Sequence, residues 1–301
     1  MKKIKIFFTV SITTLAIVAG SIAFMACISV VIIITGCAQK MDRNNPYDPV
    51  NSNTNGTDSE GGTLPFTTCL YFDNDVSTNT ANVSTSLTSI RGANNGLSAE
   101  AWVKCNGTLS DTNYTFFIFS KGHAYASRDG DFILCFYGEK TVNGWIATTM
   151  YHSGWYPSYM FEPIPGHTLP CSVTINKWYH VAYTYDSVAG GKVYLNGALL
   201  GGTFAATSLF TEDSTTAFNI GGSPYDTTHY WAGGIADVRL YNRALSAAEI
   251  DGRYKTNTYV SSGLTHQWKF DDASGTTAVN SINPTYKGIL VGGSKVRWGI
   301  P

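Results

Sequence analysis

Apolar and polar positions alternate along the middle of the chain. In Leu97-Ser98-Ala99-Glu100-Ala101-Trp102-Val103-Lys104-Cys105 the odd positions are apolar and the even ones carry Ser, Glu, Trp and Lys. A period of two sends successive side chains to opposite faces, so this segment predicts a half-buried strand whose odd face packs a core. Trp178 to Tyr185 continues the pattern, residues 186–191 supply a turn, and Lys192 to Leu195 forms a return strand. Asn196-Gly197 then marks a tight hairpin, because a type I′ turn needs positive φ at both central residues. Ile235 to Tyr241 alternates again and sets Asp237, Arg239 and Tyr241 on one face. One short helix is predicted near 247–255. Ser246 can cap it, Glu249 three residues on can close a capping box, and Leu245 can pack against Ile250 as a hydrophobic staple.

The ends of the chain change this picture from a bare domain to an exported one. Lys2, Lys3 and Lys5 precede an apolar run that stops at Ile34-Thr35-Gly36-Cys37, an ending that resembles a bacterial lipobox with Cys37 as the lipidated residue. Residues 1–36 therefore predict a lipoprotein signal peptide, the alternative being a retained membrane-spanning anchor. Its removal leaves 17 basic and 21 acidic residues, and no basic patch for nucleic acid is visible. Residues 37–63 are Asn, Asp, Ser, Thr, Gly and Pro with almost no apolar side chain, a composition that predicts a disordered tether with a reach of roughly 25–30 Å. Residues 64–301 suit one large β-sandwich; low charge, many Gly and Thr, and 13 % aromatic residues fit an all-β exported class. Cys69, Cys105, Cys135 and Cys171 form an even set, which in an oxidising compartment suggests two disulfides of open connectivity, against the alternative of buried thiols.

Four segments carry a family resemblance: AEAWVK at 99–104, KWYHVAYTYD at 177–186, VYLNG at 193–197 and GGIADVRLYNRALSAAEI at 233–250. Together they resemble the laminin-G-like, concanavalin A-type jelly-roll family, in the bacterial branch related to pentraxins, over roughly residues 64–260. The resemblance implies a two-sheet antiparallel jelly-roll sandwich. Residues 264–299 resemble the segment that opens a copy of this domain, yet so short a piece cannot form its own core, so it predicts strands added to the same sandwich or else the remnant of a second repeat. The resemblance also pairs Cys105 with Cys171, whose strands neighbour each other in the family's sheet, which leaves Cys69 with Cys135. An acidic residue in the family's late strand often helps to hold a structural calcium ion, which points to Asp237, with Asp73 and Asp75 as looser candidates. The alternative there is a surface pair of Asp237 with Arg239.

Catalysis finds no support. Glu249-Ile250-Asp251 superficially matches the Glu-x-Asp-x-x-Glu signature of laminarinase-type glucanases, but the third carboxylate is absent. A helix moreover turns Glu249 and Asp251 about 200° apart. No Gly-x-Ser-x-Gly elbow, phosphate loop or metal-spaced His pair occurs. The candidate ligand-binding residues are instead aromatic: Trp145, Tyr151, Trp155, Tyr156 and Tyr159, interspersed with Gly and Pro. Such a cluster can form a stacking platform for sugar rings, or a hairpin laid over the sandwich with its rings buried. The expected function is a lipoprotein of the outer membrane or cell surface that displays a carbohydrate- or glycoconjugate-binding module. A protein-binding adhesion module and a diverged glycan-active enzyme are the alternatives.

Overall fold

The computed structural model describes residues 58–74, 80–106, 114–121, 132–138, 144–149, 168–170, 173, 176–204, 215–223 and 230–301. Among them, in chain order, the strands are β1 (Cys69–Asp73), β2 (Asn82–Ser84), β3 (Leu97–Cys105), β4 (Tyr114–Lys121), β5 (Phe132–Gly138), β6 (Gly144–Thr149), β7 (Thr168–Pro170) and β8 (Trp178–Asp186). They continue with β9 (Gly190–Leu195), β10 (Ala198–Phe204), β11 (Phe218–Ile220), β12 (Ala232–Tyr241), β13 (Leu264–Trp268), β14 (Thr277–Ala278), β15 (Gly288–Val291) and β16 (Val296–Gly299). One α-helix, α1 (Ala247–Thr256), lies between β12 and β13.

The strands form two antiparallel sheets. The first runs β10-β9-β8-β3-β12-β1-β16, with β13 also paired to β12; the second runs β14-β15-β2-β11-β4-β5-β6-β7. The inward residues Leu97, Ala99, Ala101 and Val103 of β3, Val181 and Tyr183 of β8 and Ile235, Val238 and Leu240 of β12 join Phe119, Leu134, Phe218 and Ile220 of the second sheet in one core. The predicted hairpin is present, with φ of 49° at Asn196 and 78° at Gly197.

Residues 264–299 complete both sheets of the same sandwich. β13 extends along β12, β16 adds an edge beside β1, and β15 pairs with β2. Trp268, fully buried, belongs to the shared core.

Two features differ from the sequence expectations. β3 is buried on both faces, not one: Ser98, Glu100 and Trp102 point away from the core and are covered all the same. The cover is α1 and the segment before β1, where Phe66 packs against Trp102 and Trp178 at ring separations of 5.9 and 4.9 Å, and Tyr254 of α1 packs against Trp102 at 5.7 Å. The expected tether also ends earlier than residue 63. Asp58 is 2 % exposed and bridges to Trp178. Its carboxylate accepts from the backbone N–H groups of Glu60 and Gly62 at 2.9 and 2.7 Å and from the Tyr254 hydroxyl at 3.1 Å. These polar residues are ordered by hydrogen bonds, which a composition argument based on apolar burial does not register. Among the described residues no helix is long and apolar enough to cross a membrane.

Candidate functional site

Helix α1 brings polar chemistry to the outer face of the first sheet. It forms where the sequence places it: the Ser246 hydroxyl accepts from the Glu249 N–H at 3.3 Å, and the Glu249 carboxylate accepts from the Ser246 N–H at 2.8 Å. Leu245 and Ile250 pack together in one apolar cluster. Arg243 grips the same Glu249 carboxylate at 3.0 and 2.5 Å, so the residue that superficially matched a glucanase signature is a helix cap.

A β-bulge in β12 shapes the sheet beneath. Ala236 pairs with Trp102 and Arg239 with Glu100, so Asp237 and Val238 together oppose Ala101. Asp237 adopts the left-handed conformation, φ 46°, and turns outward with Ala236, while Val238 returns to the core. Asp237 accepts two bonds from Arg239 at 3.0 and 2.9 Å, one from Gln267 at 2.7 Å and one from Arg253 of α1 at 3.2 Å. Glu100 accepts from Arg253 at 2.7 Å and from the Tyr241 hydroxyl at 3.3 Å, with His180 Nε2 3.4 Å away. Two carboxylates thus meet two guanidinium groups in a charge-balanced, buried network. Burial alone would raise the Glu100 carboxyl; Arg253, His180 and Arg239 outweigh it and hold the group well below the usual carboxylate range.

An open cleft of about 590 Å³ lies against this network. Its floor is Asp237, Arg239 and Gln267, and its rim includes Asn257, Tyr259 and Lys269. Arg239 is 5 % exposed, and its Nη1 makes no hydrogen bond among the described residues; Glu100 lies 3.9 Å from it. Tyr259 is 57 % exposed, and its ring lies beside the same guanidinium, 5.8 Å from centroid to carbon. A stacking ring beside donors and acceptors fixed by a buried network suits a polyhydroxylated ligand.

The candidate residues read from the sequence distribute unevenly over this geometry. Asp237 stands in the cleft, but it does not fit a calcium shell: both oxygens already accept from Arg239, Arg253 or Gln267, and a cation there would face two guanidinium groups. Nor does Asp73 join it. Asp73 pairs with Ala232, five positions along β12 from Asp237, roughly 16 Å at the rise of a strand, and its carboxylate is held by Arg297 at 2.8 Å. Among the described residues no group of three or more His, Cys, Asp or Glu side chains gathers to hold a metal ion.

Cys69 carries a free, buried thiol within reach of the Gly299 carbonyl, at 3.6 Å, which departs from the expected pairing with Cys135. It sits on the outer face of β1 among Phe66, Trp102 and Trp178. The backbone of Cys135 belongs to β5 in the other sheet, and its side chain lies outside the described residues. Cys105 is buried at the end of β3, while Cys171 lies outside the described residues, as do Cys37, Asp75, Tyr151, Trp155, Tyr156 and Tyr159. Trp145 is placed by its backbone alone, in β6 opposite Tyr137 and Pro170. Sequence reasoning missed Glu100, Arg253, Gln267 and Tyr259. No local signal marked them: Glu100 falls on the polar side of an alternating strand, where an exposed carboxylate is the ordinary reading.

The fold agrees with the relationships of the chain. The sequence pattern of the laminin G-type concanavalin A-like lectin/glucanases superfamily matches residues 77–251, more than half of the chain. The chain belongs to this superfamily. Among solved structures it is similar to a native heptameric SAP-like pentraxin from Limulus polyphemus, with 17 % identity and a TM-score of 0.51 over 78 % of this chain and 95 % of the pentraxin. It is also similar to a protein from Bacteroides ovatus provisionally assigned as carbohydrate binding, with 16 % identity, a TM-score of 0.53 and 80 % of this chain covered. The match spans 61 % of the Bacteroides protein. Trypanosoma rangeli sialidase matches at 21 % identity over 54 % of this chain and 23 % of the enzyme, with a TM-score of 0.39, too partial to bear on activity. No curated protein matches the chain.

Proposed function

We propose that the protein is a surface-displayed glycan-binding module that holds carbohydrate and does not cleave it. The observation that carries this reading is the cleft beside the β12 bulge, where the exposed Tyr259 ring stands against Arg239 and Gln267. Membership of a lectin-containing superfamily supports it, as does the likeness in fold to the Bacteroides protein. A sugar ring stacks on Tyr259 while its hydroxyl groups bond Lys269 and the Gln267 amide, which line the same cleft. The aromatic residues Trp145, Tyr151, Trp155, Tyr156 and Tyr159 supply a further stacking surface in this reading, tested by a loss of affinity in Trp155→Ala. A binding role also suits the carboxylates: Glu249 is committed to a cap and to Arg243, and Glu100 is held ionised out of reach of solvent.

Display follows from the N-terminus. Lipid on Cys37 anchors the chain at the outer membrane or cell surface, and the polar residues up to Thr57 hold the sandwich clear of it. Intact mass of the expressed protein, with and without Cys37→Ser, tests the anchor; an acylated Cys37→Ser product contradicts it. The binding reading is tested on a glycan array with the mature chain carrying Cys37→Ser. Selective binding of one glycan class is expected, and an array with no bound glycan overturns the reading.

A further inference from the structure

A second cleft, of about 510 Å³, opens on the outer face of the first sheet around Tyr71, Lys104 and Arg297. Strand register builds it. Arg297 of β16 pairs with Tyr71 of β1, Tyr71 with Gly234 of β12, Gly234 with Lys104 of β3, and Lys104 with Trp178 of β8. Five strands therefore present one continuous cross-strand row in which cations and aromatic rings adjoin.

Gly234 makes the row close up. A Cβ there would meet the Trp178 ring at 2.6 Å and Tyr71 at 3.4 Å, so its absence lets the rings from either side approach. The Lys104 ammonium consequently sits 5.0 Å from the centroid of each ring, and the Arg297 guanidinium 4.6 Å from that of Tyr71. The charges do not balance. Arg297 is matched by Asp73, bonded at 2.8 and 3.4 Å, but the Lys104 ammonium makes no hydrogen bond or ion pair among the described residues and touches only the two rings. Cys69 beneath it adds no negative charge, because burial pushes its thiol up to about 11. Asn106 and Asn176 also line the cleft, and each carries a side-chain amide.

We infer that this row binds a uronic acid residue of an acidic glycan, with the sugar carboxylate paired to Lys104. A carboxylate cancels the unmatched ammonium charge, and a pyranose ring attached to it meets Tyr71 and the two asparagine amides, which donate and accept as hydroxyl groups require. The inference rests on the glycan-binding reading and adds a substrate class to it.

The test is calorimetric titration of the mature Cys37→Ser chain with oligogalacturonate and with oligomannuronate, beside a neutral galacto-oligosaccharide. At least one acidic oligomer is expected to bind. Lys104→Met weakens it at least tenfold without lowering the melting temperature by more than a few degrees, and Arg297→Gln weakens it less. If Lys104→Met fails to fold, Lys104→Gln and the salt dependence of wild-type binding give the same readout. Unchanged affinity in the Lys104 variants, or neutral glycans bound with no acidic oligomer bound, overturns the inference and leaves the glycan-binding reading intact. No binding of any glycan overturns both. Inorganic phosphate or acetate competing as well as the oligomer, mole for mole, overturns the sugar assignment in favour of a simple anion pocket.

Discussion

Arg253 of α1 donates through Nε to Glu100 of β3 at 2.7 Å, and both side chains are fully buried. This contact fastens the helix to the sheet and sets the floor beside which the cleft opens. Removal of one partner leaves the other charged and buried, which costs about 3–5 kcal/mol, so Glu100→Gln and Arg253→Met each lower stability by that order. In the double variant the loss is smaller than the sum. Chemical denaturation of the three variants measures the coupling, and additivity within about 0.5 kcal/mol contradicts the pairing.

Acid should loosen the fold in two steps. Burial pushes the His266 imidazole down to about 4, below its unfolded value of about 6.5. The unfolded chain then binds the proton more readily, so His266 contributes stability that is complete above pH ~6.5 and lost as pH falls towards about 4. Glu249 is held down to about 2 by the Arg243 hydrogen bonds, against partial burial and with help from Ser246. Its contribution is present above its unfolded value of ~4.3 and lost below it. Urea midpoints measured from pH 7 to 3 should show both phases. His266→Phe flattens the first and Arg243→Leu the second; a wild-type midpoint that stays level down to pH 4 contradicts the His266 assignment.

How much of this was legible depended on range. The helix cap was readable because Ser246 and Glu249 are three residues apart and the physics is local. The strands around Ala99, Val181 and Ile235 were readable from alternation. The bulge was not: apolar and polar residues alternate without a break from Ala236 to Leu240, and only the pairing with β3 reveals that Asp237 is the extra residue. Burial of Glu100 depends on a partner at position 253, and the order of Asp58 depends on Tyr254, neither of which a local pattern can announce. The hydrogen bonds that engage Asp237, the residue to which the calcium expectation pointed, were hidden for the same reason. Arg253 and Gln267, which occupy Asp237, are distant in sequence.

Calcium in millimolar amounts should therefore leave the melting temperature as it is in chelator. Asp237→Ala should lower it equally in both, because the lost contacts are to Arg239, Arg253 and Gln267. A calcium-dependent rise that Asp237→Ala abolishes contradicts this account.

Cys69 should react slowly with alkylating reagents in the folded protein and promptly once unfolded, since burial pushes its thiol up to about 11. Non-reducing peptide mapping should recover it without a disulfide partner. Recovery of a Cys69–Cys135 peptide contradicts the free thiol.

The most direct test of the central claim is the affinity of Tyr259→Ala for the glycan selected on the array, measured together with its melting temperature. Tyr259 is 57 % exposed and packs on the rim of the cleft, so its truncation should leave the melting temperature nearly unchanged and weaken binding by about 1–3 kcal/mol, the scale of an aromatic anchor at a binding site. Wild-type affinity in a folded Tyr259→Ala protein would contradict the assignment of this cleft as the glycan site.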